Sequence, residues 1–332
     1  MGAALALGRR GRGLTAPNPN VGCVLVRDGV VVGRGWTQPG GRPHAEAMAL
    51  GQAREKSRGA TCYTTLEPCA HRSHRGPTCS DLLADAGVAR VVAAMGDPDP
   101  RTNGDGFARL RAAGVAVETG VEAEAARRSM AGFLTRRTHG RPHVTLKLAT
   151  SLDGHIALGN GESRWITGPE ARAHAHGERA RHEAILVGRG TWEVDRPRLD
   201  VRLAGLECRS PRRVLLSSTH PHPSAPSALP PSPDGRGKGE GDWEVISSPA
   251  AIADLAAVDH LLVEGGAQAA AAFLRAGLVD RLLLYRAPIL IGSGLPAIGD
   301  IGLGDLAAAH GRWRLRDARQ LGSDRVEVYG RS

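Results

Sequence analysis

The stretch TLEPCAHRSHRGPTC, residues 65–79, decides the fold: it holds two of the chain's five cysteines around nine residues crowded with His and Arg. Those two cysteines close a disulfide loop, belong to a metal clamp, or meet by chance in a small cysteine count. Five cysteines in 332 residues, Cys23, Cys62, Cys69, Cys79 and Cys208, are odd in number and too sparse for a disulfide-stapled secreted scaffold. Reduced thiols are therefore expected.

Upstream lies PHAEAMAL, residues 43–50, which sets His44 and Glu46 at the start of a helix. One imidazole with Cys69 and Cys79 makes three zinc ligands, which leaves the fourth tetrahedral position open, as in a catalytic rather than a structural site. Zinc there lowers the pKa of water to about 7, and Glu46 is placed to take its proton and pass it to a departing amine. His44 and Glu46 followed by Pro68-Cys69 resemble the zinc signature of nucleobase deaminases. Residues two apart do not share a helix face, so His44 and Glu46 converge only at an irregular first turn. Pro68 suits the first turn of a helix, whose start would favour the Cys69 thiolate. Cys23 and Cys62 fall in strands and read as small buried hydrophobes.

The chain carries 43 Lys and Arg against 34 Asp and Glu, a net +9, which suits an anionic partner. Aromatics are only 3% and are not interleaved with the basic residues, so the stacking surface of a single-strand binder is missing and a phosphorylated small molecule is favoured over nucleic acid. No run of about 18 apolar residues is present to cross a bilayer, so no membrane role is expected. MGAALALGRRGRG reads as the remnant of a helix rather than a signal peptide, and a cytoplasmic location is expected.

The length suits two domains at about 150 residues each. VGCVLVRDGVVV, residues 21–32, is a hairpin signal around Asp28-Gly29. Beyond it helix and strand patterns alternate, giving an α/β class. Residues 1–120 form the first domain, the Ala-, Glu- and Arg-rich 121–141 a helical linker, and 142–330 a second α/β domain. Residues 219–242, almost all Pro, Ser, Gly and charge, read as a disordered insertion.

NPNVGCVLV, HAEAMAL, TTLEPCAHRSHRGPTCSDLL and GVARVVAAMGDPDPRTNGDGFARLRAAGV together resemble the N-terminal half of the RibD family, the bifunctional deaminase/reductases of riboflavin biosynthesis. That family has the longer loop between its cysteines, often one residue shorter than here. The resemblance implies a cytidine-deaminase-like three-layer domain that hydrolyses the 2-amino group of 2,5-diamino-6-(5-phosphoribosylamino)pyrimidin-4(3H)-one. His44, Cys69 and Cys79 become the zinc ligands and Glu46 the proton shuttle. His71, His74 and Arg75 are candidates for the substrate phosphate, and Asn20 for the pyrimidine.

KLATSLDGHIAL, GESRWITGPEAR, AILVGRGTWEVDRPRLDVR and VEGGAQAAAAFLRAGLVDRLLLYRAPILIG resemble, in order, the C-terminal reductase domain of the same family, similar in fold to dihydrofolate reductase. By itself this half has no G-x-G-x-x-G after a strand; its best phosphate signal is LLVEGG running into an Ala-rich helix. The resemblance implies NADPH-dependent reduction of the ribosyl group of 5-amino-6-(5-phosphoribosylamino)uracil to ribityl. Ala149, Trp165, Thr191, Asp195, Ser218 and the run Gly266, Ala267, Gln268, Ala269, Ala270, Ala271, Ala272 would meet NADPH. Ser163, Arg179, Leu199, Arg202 and Glu264 would meet substrate, with Arg179 and Arg202 suited to its phosphate. Lys147 and Asp153 are further candidates at the sugar. Gly168 and Arg196 depart from the family's usual Ser and Asp. A homo-oligomer is expected, and the competing reading is a tRNA adenosine deaminase-like enzyme with an accessory domain.

Overall fold

In the computed structural model, which describes residues 1–71, 76–218 and 243–332, α1 (Gly2–Gly8) leads into a hairpin of β1 (Gly22–Arg27) and β2 (Val30–Trp36). Asp28 and Gly29 turn it with φ of 52° and 74°, the left-handed pair whose twist matches that of the flanking strands. Then follow α2 (Ala45–Ala53), β3 (Thr61–Thr64), α3 (Cys79–Asp85), β4 (Arg90–Ala93), α4 (Asp105–Ala112), β5 (Ala116–Thr119), α5 (Ala123–Ser129) and α6 (Ala131–His139). The sheet order is β2-β1-β3-β4-β5, antiparallel about β1 and parallel from β3 to β5.

Register gives the layering. Cys23 lies opposite Gly35, so the two share a face, while Gly22 pairs with Trp36 on the other. A Cβ on Gly35 would stand 2.0 Å from the Ala45 carbonyl of α2, and one on Gly22 would stand 1.9 Å from the Ala4 carbonyl of α1. The two helices therefore cover opposite faces of one sheet, a three-layer arrangement. Helices α5 and α6, in the segment set apart by sequence as a linker, bury Ala126, Met130 and Phe133 in the core of this first unit, which spans Met1–Gly140.

The second unit, Arg141–Ser332, runs β6 (His143–Thr150), β7 (His155–Ala157), α7 (Pro169–Arg179), β8 (Ala184–Gly188), α8 (Arg189–Asp195), β9 (Arg212–Leu216), β10 (Trp243–Ile246), β11 (His260–Glu264), α9 (Ala267–Arg275), β12 (Val279–Arg286), β13 (Leu295–Pro296), β14 (Trp313–Leu321) and β15 (Asp324–Arg331). Eight strands pair in the order β10-β9-β8-β11-β6-β12-β15-β14, parallel up to β12 and antiparallel through the last hairpin; β7 and β13 form a separate ribbon. Central β11 is buried along its whole length, as a parallel strand covered on both faces must be. The expected disordered insertion at 219–242 lies outside the described residues. Among those described, no helix is long and apolar enough to cross a membrane.

The contact of α2 with β2 is backbone on backbone, so it cannot yield to a rotamer change. Gly35→Ala is expected to destabilise the protein by about 1–3 kcal/mol in urea melts. Gly51→Ala, in the same helix with nothing within 4 Å of the added carbon, should be neutral or slightly stabilising.

Candidate functional site

His44 is the N-cap of α2, with ψ of 163°, so it lies outside the helical progression that Glu46, two residues on, already follows. This irregular first turn lets residues two apart face one centre. His44 Nδ1 lies 3.3 Å from Cys79 Sγ and 3.5 Å from Cys69 Sγ. Zn–N of about 2.0 Å and Zn–S of about 2.3 Å imply tetrahedral edges of about 3.5 Å, so the donor set fits zinc. Among the described residues it is the one such cluster found.

The helix start expected at Pro68 occurs only at Cys79. Residues 67–70 are irregular, and α3 begins at Cys79 with Thr78 as its cap, accepting from the Asp81 amide at 3.1 Å. Pro68 cannot begin a helix there because its carbonyl is pressed onto α4, 2.0 Å from where a Gly106 Cβ would be. Cys69 receives helix-start support indirectly, as the Cys79 amide donates to its sulfur at 3.3 Å. The Cys79 thiol's hydrogen bond, with help from His44 and against burial, brings the Cys69 thiol down to about 4. The same hydrogen bond and burial push Cys79 up. All five cysteines are free thiols, and Cys23 and Cys62 are fully buried as expected of apolar fillers.

Glu46 is buried, and Thr64 on β3 donates to its Oε1 at 2.8 Å. Burial outweighs His44 and this hydrogen bond and raises its carboxyl, which suits a group that must hold a proton as well as release one. Glu46, His44 and Cys69 open on a cavity of about 210 Å³ also lined by Asn18, Arg42, His71, Asp97, Asp99, Arg101, Phe133 and Arg137. Asn20 does not reach it, since its amide is committed to the Gly8 and Ser129 carbonyls at 3.2 and 3.3 Å; Asn18, two residues earlier, does. His71 lies in the cavity wall, whereas His74 and Arg75 lie outside the described residues.

Sequence reading missed Glu67. Its buried carboxylate accepts the amides of Asp97, Gly104, Gly106 and Phe107 at 3.0–3.2 Å, tying the segment before Cys69 to the opposite wall. Its place in LEPC was the available signal.

In the second unit, parallel register sets Glu264 of β11 beside Lys147 of β6, and their side chains approach to 3.8 Å. Arg179 of α7 closes its fork on Glu264 at 2.8 and 2.9 Å and gives its third arm to the Asp200 carbonyl at 3.0 Å. Burial alone would raise Glu264, but the charges of Arg179 and Lys147 prevail and hold it at about 2. Leu146 and Leu148 point into the core, so Lys147 and Ala149 face a cavity of about 520 Å³ at the carboxyl ends of the strands. Ser163, Trp165, Arg179, Asp195, Leu199 and Arg202 line it too. Among the described residues seven Lys and Arg side chains line it with one carboxylate, Asp195, and even after Glu264 and Asp200, which pair with lining cations, are counted, the balance favours an anionic ligand.

The remaining expected cofactor contacts lie elsewhere in the unit. Gly266 caps α9, and its amide donates to Thr191 Oγ1 at 2.9 Å. Ala269, Ala270 and Ala271 are buried, so this run exposes Gln268 and leaves Gly266, Ala267 and Ala272 half-buried. Ser218 is exposed just past β9. Asp153 accepts from Ser151 and the amides of Ile291 and Gly292, fastening a turn rather than facing the cavity. Gly168 caps α7 and donates to Asp324 at 2.6 Å, while Arg196 stacks on Trp192 at 3.9 Å.

Family models match this chain twice: the cytidine and deoxycytidylate deaminase zinc-binding region over residues 1–95, and the RibD C-terminal domain over 142–326. The riboflavin biosynthesis protein RibD of Escherichia coli is 39% identical, with 98% of this chain and 96% of that protein covered. The protein of that name from Aquifex aeolicus is 38% identical, with 100% and 97% covered. A solved structure from Thermotoga maritima, a diaminohydroxyphosphoribosylaminopyrimidine deaminase/5-amino-6-(5-phosphoribosylamino)uracil reductase, superposes with a TM-score of 0.84 at 30% identity, covering 100% and 97%. Acinetobacter baumannii RibD, form 1, gives 0.83 at 34%, covering 99% and 97%.

Glu67→Gln puts an amide donor where only acceptors serve. It is expected to cost about 1–3 kcal/mol in urea melts and to speed amide exchange across residues 97–107.

Proposed function

The chain belongs to the RibD family, the zinc- and NADPH-dependent bifunctional deaminase/reductases of riboflavin biosynthesis, and on that premise we propose which residues perform each step. The observation that carries the first assignment is the cluster of His44, Cys69 and Cys79, of which His44 and Cys69 line one cavity with the buried, Thr64-bonded Glu46. Full-length likeness to riboflavin biosynthesis proteins leaves the tRNA adenosine deaminase reading without support.

In the first unit, His44, Cys69 and Cys79 hold zinc, which supplies Lewis acidity when bound. Glu46 takes a proton from the attacking water and returns it to the amino group leaving the diaminopyrimidine ring, and its raised pKa favours the return. Thr64 fixes one carboxylate oxygen and so aims the other. Asn18 and His71, in the cavity wall, orient the pyrimidine.

In the second unit, NADPH supplies a hydride when bound. Thr191, Asp195, Trp165, Ala149, Ser218 and the start of α9 hold it, the last through backbone amides. Arg179 is already closed on Glu264, so the phosphate of the aminouracil falls to Arg202, whose side chain is half exposed at the same cavity. Glu264 holds Lys147 beside the sugar, with Ser163 and Leu199 completing the wall. We take the cytoplasm as the location and a homo-oligomer as the assembled form, the latter open to light scattering.

The direct test incubates the protein with the diaminopyrimidine phosphate and follows products by mass. Without NADPH one amino group should become a carbonyl; with NADPH the product should then gain two hydrogens. If neither change occurs, the assignment fails. Glu46→Gln should keep its zinc and reductase activity while deamination falls about 10²–10⁴-fold. Arg202→Ala should raise the reductase KM about tenfold with little change in kcat, and an unchanged KM would remove Arg202 from the phosphate.

A further inference from the structure

The deaminase cavity contains a charge arrangement that metal binding and proton transfer do not require. Asp99, whose side chain is only 6% exposed, accepts Arg101 Nε at 3.0 Å and Nη2 at 2.6 Å, and pairs with Arg137 Nη2 at 3.2 Å. One guanidinium fork already satisfies a carboxylate, so the second arginine leaves a surplus positive charge at Asp99, which nearby Asp97 offsets in part. Arg101 comes from the segment that Glu67 fastens and Arg137 from α6, where it also stacks on Phe133 at 5.4 Å. Two separate elements thus bring cations to one buried anchor. Both arginines line the cavity that holds His44, Glu46 and Cys69.

Their exposure matters. The side chains of Arg101 and Arg137 are 58% and 36% exposed, and a guanidinium has five N–H donors, more than Asp99 takes from either. The donors left over remain solvated until an anion arrives. Of the other carboxylates of the cavity, Glu46 stands by the metal donors and Glu67 is filled by backbone amides, while Asp97 accepts the Asp99 amide at 2.9 Å and is raised to about 6 by burial, which weakens its repulsion of an anion only in part. A phosphate monoester carries a charge of about −1.5 to −2 at neutral pH, so the Asp99 side of the cavity is where it is attracted.

We propose that Arg101 and Arg137, splayed by Asp99, are the phosphate clamp of the deaminase cavity, holding the phosphoribosyl end of the substrate while its pyrimidine meets the zinc donors. This rests on the deaminase reading of the same cavity. Asp99 is a positioning residue: held as a carboxylate near pH 2, chiefly by the Arg101 hydrogen bond, it stays charged at any working pH and keeps the two forks apart.

The test compares deamination of the phosphorylated substrate with that of its dephosphorylated counterpart, using Arg101→Ala, Arg137→Ala and the double variant, each checked for zinc content. The ratio of kcat/KM for the two substrates should fall about 10- to 100-fold in each single variant, through KM, and further in the double. Ribose 5-phosphate should inhibit the wild type competitively and the double variant at least tenfold less well. Arg101→Lys, which retains charge without the fork, should lie between. An unchanged ratio overturns the clamp, as does an equal loss on both substrates, which marks a structural role. A wild-type protein that deaminates neither substrate would instead overturn the deaminase reading.

Discussion

The seating of the α2 backbone on β2, with no side chain between them at Gly35, determines where the first site can form. Gly33 repeats the contact one turn along, where an added Cβ would lie 2.3 Å from the Ala49 carbonyl. Held this close, α2 brings its first turn over the face that Cys23, Thr64 and Gly35 share. His44 then points from the cap and Glu46 from the turn, and Thr64 is in place to fix the carboxylate. A side chain at position 35 would lift the turn and separate the imidazole from sulfurs that are fixed by other elements. The zinc geometry is in this sense set by a strand of glycines remote in sequence from both cysteines.

The fold was legible where periodicity and turn chemistry acted locally. The Asp28-Gly29 turn, the strand at Thr61–Thr64 and the second unit's buried runs follow from residue type and spacing. The zinc donors were legible because thiols and imidazole are rare in this chain and their chemistry is narrow. What stayed hidden depends on partners far away in sequence. Pro68 favours a helix start locally, but Gly106, nearly forty residues on, admits its carbonyl and keeps the segment irregular. Asn18 and Asn20 are equivalent as letters; only the docking of α1 and α5 shows that Asn20 is used up on their carbonyls. Likewise nothing local distinguishes Arg179 from Arg202, yet Glu264 closes on the first and leaves the second at the cavity mouth.

The second unit reaches its polarity through register. Parallel pairing of β11 with β6 sets Glu264 across from Lys147, and pairing of β12 with β6 sets Tyr285 across from Ala149. The Lys147 ammonium lies 5.7 Å from the Tyr285 ring, whose hydroxyl is bonded to His174 at 2.7 Å. An ammonium between a buried carboxylate and an aromatic face is held in one place. A slip of one residue in β11 would turn Glu264 to the other side of the sheet and leave Arg179 buried without a counter-charge, an expensive state. The ion pair and the strand register therefore enforce each other.

Both cavities solve the same electrostatic problem in the same way. In the first, Asp99 anchors Arg101 and Arg137; in the second, Asp200 pairs with Arg198 at 3.0 Å and Arg202 at 3.5 Å. A lone exposed arginine is mobile and strongly screened, so it gains little from any single anion. A largely buried carboxylate that orients two arginines removes much of that mobility before the ligand arrives, and by itself it cancels only half of their charge. What remains is a preorganised, singly cationic pair at the mouth of a cavity whose deeper groups are already committed. Such a pair suits a phosphate that must bind, be released, and leave the reacting end of the molecule to the groups within.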